Sequence, residues 1–196
     1  MHVFVTGGTG TIGSAVVAEL LAHDHTVLAL ARSEKSERAL QGAGAQTLRG
    51  TISDLDVLRT GAAQSDGVIH LAFGSVADPA ALMTAIAEES AALATLGEAL
   101  VGSGHPIVAV AGTPRVEGRA ATEADPSSTA GPVAGRAVSV EALLQLASQG
   151  VRSSIVRMPR TVHNRGAGGF AGLLTDTARR TGIAGYPGDG AQRWPA

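Results

Sequence analysis

The chain has no cysteine, and among its 196 residues only one tyrosine, one tryptophan and three phenylalanines. Without thiols it forms no disulfide, iron–sulfur cluster or thiolate zinc site, and the composition points to a reducing compartment. So few aromatics make no stacking platform, and a net charge of −2 makes no basic face, so nucleic acid is not an expected partner. Long apolar runs are missing as well. Nothing approaches the roughly 20 residues needed to cross a bilayer, and glycine and threonine interrupt the N-terminal stretch where a signal peptide needs an apolar core. The expectation is a cytoplasmic chain with no membrane partner. Six scattered histidines show no HExxH spacing, so no metal is expected, and His23 and His25 read as a solvated helix end.

What the chain does have is 26 glycines and 44% hydrophobic residues, enough for the core of one α/β domain over 1–196. The glycines matter most at the start. His2-Val3-Phe4-Val5 reads as a short buried strand, Thr6 to Gly10 as turn, and Ile12, Val16, Val17, Leu20 and Leu21 recur at helical spacing. Gly7 lets the chain leave the strand in a tight turn, Gly10 has no Cβ to block a phosphate, and Gly13 lets the helix pack against the sheet. The helix N-terminus then presents N–H groups and partial positive charge to a diphosphate. Gly8, Gly10 and Gly13 also satisfy G-x-G-x-x-G, a weak pattern alone but well placed between strand and helix. Gly7, Thr9, Gly10, Thr11 and Ile12 are therefore candidate cofactor-binding residues; the alternative is an ordinary glycine-rich turn.

Strands are predicted at 2–6, 26–31, 46–49, 67–72, 106–111 and 151–157, and helices near 12–23, 34–42, 54–64, 79–102, 133–149 and 168–181. Such alternation calls for a doubly wound parallel sheet, with right-handed crossovers favouring the order 3-2-1-4-5-6. Ligands then gather at the C-terminal strand ends, where Gly74 to Pro79 and Gly112 to Pro132 follow two of the strands. The second connection, of about 20 residues, is expected to be an active-site lid over 112–131.

At these residues the chain resembles the short-chain dehydrogenase/reductase superfamily, in its extended or atypical branch of NAD-dependent epimerase/dehydratase and NmrA-like proteins. The resemblance runs from Met1 to about Ala196. It is carried by Thr6-Gly-Gly-Thr-Gly-Thr-Ile-Gly13, Asp66-Gly-Val-Ile-His-Leu-Ala72, Ala121-Thr-Glu-Ala-Asp-Pro126, Val156-Arg-Met-Pro159 and Gly188-Asp-Gly190. It implies a Rossmann fold in which Leu71 and Ala72 lie along the nicotinamide side of the cofactor. It also implies that the Arg157-Met158-Pro159 turn edges a substrate pocket. Without the family, both are buried strands running into loops.

Cofactor choice is argued from the end of the second strand. NAD-preferring folds place an acid there to bond the ribose hydroxyls, whereas this chain has Leu30-Ala31-Arg32-Ser33-Glu34-Lys35. Arg32 suits a 2′-phosphate, helped by Ser33 and Lys35, so NADP(H) is favoured over NAD(H); the alternative is a solvated Arg-Ser helix cap. Relatives usually carry Gly-Asp before the third helix, where this chain has Gly50-Thr51-Ile52-Ser53-Asp54. Adenine anchoring then falls to Thr51, the Ile52 backbone or a shifted Asp54.

The resemblance fails at catalysis. Typical members use a Tyr-x-x-x-Lys pair, in which the ammonium lowers the phenol pKa. Here Tyr186 and Lys35 are the chain's tyrosine and lysine, and the family's positions fall on Val133 and Ala137. Thr113 matches the family's carbonyl-bonding Ser/Thr, with a turn threonine as the alternative. His163 is a candidate proton donor, against a loop histidine that only packs or hydrogen-bonds. Arg157, Arg160 and Arg165 form a candidate clamp for an anionic substrate, against a solvated basic loop. Glu123 or Asp125 is a further candidate to reach the pocket, against a cap or turn role.

In extended relatives the Gly-Asp-Gly segment leads into a small substrate domain, whereas this sequence stops at Trp194-Pro195-Ala196, so that domain is expected to be largely absent and 183–196 to form an edge. Trp194 is expected near that edge. Helices 79–102 and 133–149 carry leucine stripes and alanine-rich faces, and in the family such helices pair across a two-fold axis, so a homodimer is expected; the alternative is that the stripes face the sheet. Two functions remain in view. One is an NAD(P)-dependent oxidoreductase moving hydride between NADPH and a small carbonyl or hydroxyl substrate. The other is an NmrA-like NADP(H) sensor without chemistry, or a truncated epimerase/dehydratase.

Overall fold

The computed structural model describes residues 1–74, 78–159, 162–163, 169–186 and 188–191. Six strands, β1 (His2–Thr6), β2 (Thr26–Ala31), β3 (Gln46–Arg49), β4 (Gly67–His70), β5 (Pro106–Gly112) and β6 (Arg152–Met158), alternate with six helices. These are α1 (Thr11–Ala22), α2 (Glu34–Gly42), α3 (Leu55–Ala63), α4 (Pro79–Ala99), α5 (Arg136–Gln145) and α6 (Gly169–Thr181). The strands form one sheet in the order β3-β2-β1-β4-β5-β6, every pairing parallel. This is the expected Rossmann order, and its reversal point lies between β1 and β4.

Side-chain alternation on the strands fills two cores. Phe4, Val68 and Ile107 point to the face covered by α3, α4 and α5, where they meet Leu58, Leu96 and Leu143. Val3, Val5 and Val27 point to the other face and meet Val17 of α1 and Leu40 of α2. Burying each such aliphatic or aromatic side chain contributes about 1.5–3 kcal/mol. The leucines of the α4 stripe, Leu93, Leu96 and Leu100, lie in this core with Leu143 of α5. These leucines pack against the sheet face that carries Phe4, Val68 and Ile107.

Several boundaries differ from expectation for local reasons. β4 stops at His70, so Leu71 and Ala72 already belong to the loop at the strand's end. The helix expected from 133 starts at Arg136, because Gly131 to Gly135 make tight turns in which Val133 O accepts from Arg136 N; it then tightens into a 3-10 turn over Leu146–Gln149. α4 ends at Ala99, before the left-handed Gly102 and Gly104. Its start is well marked: Pro79 opens the first turn and Asp78 Oδ1 accepts from Ala81 N at 2.9 Å.

Candidate dinucleotide cleft

β1 delivers the chain into a turn that only glycine can make. Gly7 has φ +73°, and a Cβ there would stand 2.6 Å from Ala72 N and 2.7 Å from Leu71 C. Gly13 is equally constrained, since its Cβ would fall 2.0 Å from Gly7 O. The expected contact of Gly13 with the sheet is thus a contact with the turn itself. At Gly10 a Cβ would meet only Gly7 O, at 3.3 Å, with open space elsewhere. Gly10 N donates to Gly7 O at 2.9 Å, and Gly10 is the N-cap of α1, with no side-chain cap and no acid in the first turn. The N–H groups of Ile12 and Gly13 have no hydrogen-bond partner among the described residues. A helix start left in this state is complementary to an anion.

The opposite wall is tied to β1 by one hydroxyl. Thr6 Oγ1 accepts from Leu71 N and Ala72 N, both at 3.3 Å, and lies 2.9 Å from His70 Nδ1. Leu71 N also donates to Thr6 O at 3.2 Å, and the Thr6 hydroxyl and His70 Nδ1 share one hydrogen bond whose direction follows the imidazole tautomer. Burial, and secondarily the nearby Arg136 charge, lower the His70 pKa to about 4. This histidine is neutral and structural.

Between these walls lies a cleft of about 440 Å³ at the C-terminal ends of β1, β2, β3 and β4. Of the expected cofactor residues, Gly7, Thr9 and Gly10 line it from the glycine turn, Arg32 and Thr51-Ile52 from the β2 and β3 ends, and Leu71-Ala72 from β4. Thr11, Ile12, Ser33 and Lys35 are not among its lining side chains. The cleft also takes in Leu30, Gly50, Ser53 and Gly74, which belong to segments already singled out, and Ser36, Phe73 and Glu88, which the sequence reading passed over. Phe73 and Gly74 follow directly from the Leu71-Ala72 segment, so the motif's continuation was a usable signal; Glu88, on α4, had none.

Arg32 is exposed, and its guanidinium has no ion-pair or hydrogen-bond partner among the described residues. Ser33 is otherwise engaged: its Oγ accepts from Ser36 N at 3.2 Å while Ser36 Oγ accepts from Ser33 N at 3.0 Å, closing a capping box on α2. Its hydroxyl is therefore committed to the helix cap. Glu34, the nearest acid, is paired with Arg38. Asp54 is committed too, its Oδ2 accepting from Thr51 N at 2.7 Å and Thr51 Oγ1 at 2.9 Å. These bonds hold its carboxyl below the ordinary range and brace the Thr51-Ile52 turn.

The candidate catalytic groups do not meet in this cleft. Thr113 Oγ1 donates to Met158 O at 3.1 Å, tying the β5 end to β6, and Thr113 lines two other cavities. His163 is exposed and does not line the cleft. Arg157 binds the preceding loop: its guanidinium donates to Thr122 O at 2.8 Å and to Asp125 O. Asp125 in turn accepts from Arg119 and Thr122, which hold its carboxyl well below the usual range. The 112–131 segment expected as a lid is thus strapped to the end of β6. Glu123 lines a cavity with Arg157 and Thr113, away from this cleft. Arg160, Arg165 and Trp194 lie outside the described residues. Val133 and Ala137 flank a cavity of about 80 Å³ with Thr113 and Arg136. Among the described residues no group of His, Asp and Glu is placed to hold a metal, and no helix is long and apolar enough to cross a membrane.

The model of the NAD dependent epimerase/dehydratase family matches residues 3–161. The chain belongs to this family. It is 38% identical, over all 196 residues, to an uncharacterized protein of Schizosaccharomyces pombe, of which it spans 66%. Over 72 residues, 37% of this chain and 22% of the relative, it is 39% identical to a 4-hydroxy-2-methyl-3-oxo-4-farnesyl-3,4-dihydroquinoline-1-oxide ketoreductase of Stigmatella aurantiaca. Its fold matches a UDP-glucose 4-epimerase of Thermus thermophilus in complex with NAD, with TM-score 0.70 and 24% identity over 92% of this chain and 62% of that one. The chain thus spans 66% of the Schizosaccharomyces pombe protein and 62% of the Thermus thermophilus one.

Proposed function

We propose that this chain holds an NADP(H) dinucleotide across the C-terminal edge of its sheet and serves as the coenzyme half of an NAD(P)-dependent oxidoreductase acting on a small carbonyl or hydroxyl substrate. The observation that carries the reading is the left-handed Gly7 turn, which opens onto the uncapped start of α1 within a cleft also walled by the unpaired Arg32. The N–H groups beside Gly10 receive the diphosphate. Arg32 receives the 2′-phosphate bidentately, with no carboxylate at the end of β2 to oppose it. Leu71 and Ala72, fixed by Thr6, give the nicotinamide an apolar wall. When bound, the coenzyme supplies a hydride at its nicotinamide ring; the protein orients that ring and excludes water from one side.

A second reading, coenzyme sensing without turnover, is favoured by one observation: the Thr113 hydroxyl is engaged by β6; it accords with the expectation that Val133 and Ala137 fall near the family's proton-relay positions. Titration with NADPH and NADH, beside NADPH oxidation against a panel of carbonyl compounds, separates the two. Binding with turnover supports the oxidoreductase, and binding without it the sensor. Arg32→Ala is expected to weaken NADPH about tenfold and leave NADH nearly unchanged. Equal losses for both coenzymes would remove Arg32 from phosphate recognition.

A further inference from the structure

We infer that Glu88, on α4, is the side chain by which the cleft reads the amino edge of an adenine base. The inference rests on the dinucleotide reading above. With the diphosphate at the glycine turn and the ribose beside Arg32, the base of that half continues toward the β3 edge, between Leu30 and the Gly50–Ser53 turn. The acid nearest in sequence, Asp54, is closed off by its two bonds to Thr51. Glu88 is the carboxylate that lines the cleft.

Its geometry is that of a positioned acceptor. Ser53 Oγ donates to Glu88 Oε1 at 2.8 Å, joining α4 to the β3–α3 turn across 35 residues of sequence. Oε2 has no hydrogen-bond partner among the described residues and lies 3.7 Å from the point where a Cβ on Gly74 would stand. Among the described residues no cation pairs with this half-buried carboxylate. An ionised carboxylate only accepts hydrogen bonds, so its complement is an N–H donor. Adenine presents an amino group at C6, whereas hypoxanthine presents a carbonyl oxygen there, which a carboxylate repels, and carries its ring donor at N1 instead. The arrangement therefore selects adenine dinucleotides, with Ser53 as the positioning residue that fixes the carboxylate rotamer.

Calorimetric titration tests this with NADPH or NADH, whichever binds more tightly, and its counterpart carrying hypoxanthine in place of adenine. Wild type is expected to favour the adenine form by about tenfold, and Glu88→Gln, whose amide offers both a donor and an acceptor, to bring the two within about twofold. Equal binding of both forms by wild type, or a wild-type preference retained in Glu88→Gln, overturns the assignment of Glu88 and leaves the dinucleotide reading intact. Failure of folded wild type to bind either coenzyme overturns the dinucleotide reading itself.

Discussion

Gly7 and His70 show how one residue sets the shape of the cleft from either side. At Gly7 an alanine meets two penalties together, a φ of +73° and a Cβ 2.6 Å from Ala72 N. Gly7→Ala is expected to cost about 1–3 kcal/mol from backbone conformation alone and to push the Leu71-Ala72 wall outward, so a lower urea midpoint should accompany lost coenzyme binding. A variant with unchanged stability would mean that the turn relaxes freely. His70 makes a prediction about pH. Its folded pKa of about 4 lies below the ordinary 6.5, so the unfolded chain binds the proton first as pH falls. The neutral histidine costs nothing above pH 6.5, and stability is lost from there down to about pH 4, by about 3 kcal/mol at the lower limit. Denaturant unfolding of wild type and His70→Asn at several pH values isolates this contribution, because the exposed carboxylates are common to both. Parallel pH curves for the two proteins would contradict it.

At the scale of elements, α4 and α5 are joined through a charge. Arg136, at the first position of α5, donates through Nε to Glu89 Oε2 at 2.6 Å, through Nη2 to Glu89 Oε1, and to Val110 O at 2.9 Å, with its guanidinium 4.6 Å from the centroid of Phe73. The Glu89 side chain is only 3% exposed, so burial raises its carboxyl pKa while Arg136 opposes the shift. The pair ties the start of α5 to α4, and its guanidinium lies over Phe73, which lines the cleft. Removing one partner strands the other charge in the interior, so Glu89→Ala is expected to cost about 3–5 kcal/mol, whereas a double replacement by apolar residues of similar volume should cost far less. Thermal unfolding of the single and double variants checks this. Similar losses in both would show that shape, not charge, holds the two helices.

The whole molecule is unevenly stabilised. The sheet and α1 through α5 share the two cores, but α6 has no buried residue and leaves Phe170, Leu173 and Leu174 more than half exposed. Few buried contacts mean a low free energy of local opening. Amide hydrogen exchange should therefore find α6 opening at close to zero cost, while β1 and β4 exchange only on global unfolding. Protection of α6 equal to that of α4 would show that its apolar face is covered in solution.

The strand and helix pattern, the parallel sheet and the glycine turn were legible in the amino-acid order because each depends on neighbours a few residues apart. Alternation on His2–Val5, helical spacing from Ile12, and Gly7 and Gly13 at the two ends of one turn fix the local backbone, and the chirality of crossovers then leaves little choice of sheet order. Side-chain partners were not legible in this way. Arg157 as a strap on the 112–131 loop and Glu88 at the cleft with Ser53 each depend on which groups reach a common space after folding. Glu88 and Ser53 stand 35 positions apart and Arg157 and Asp125 stand 32 apart, and no local periodicity encodes such meetings. Local sterics and burial thus set the frame from sequence, while hydrogen bonding between distant segments, which satisfies polar groups only once the loops converge, decided which side chains remain free for a ligand.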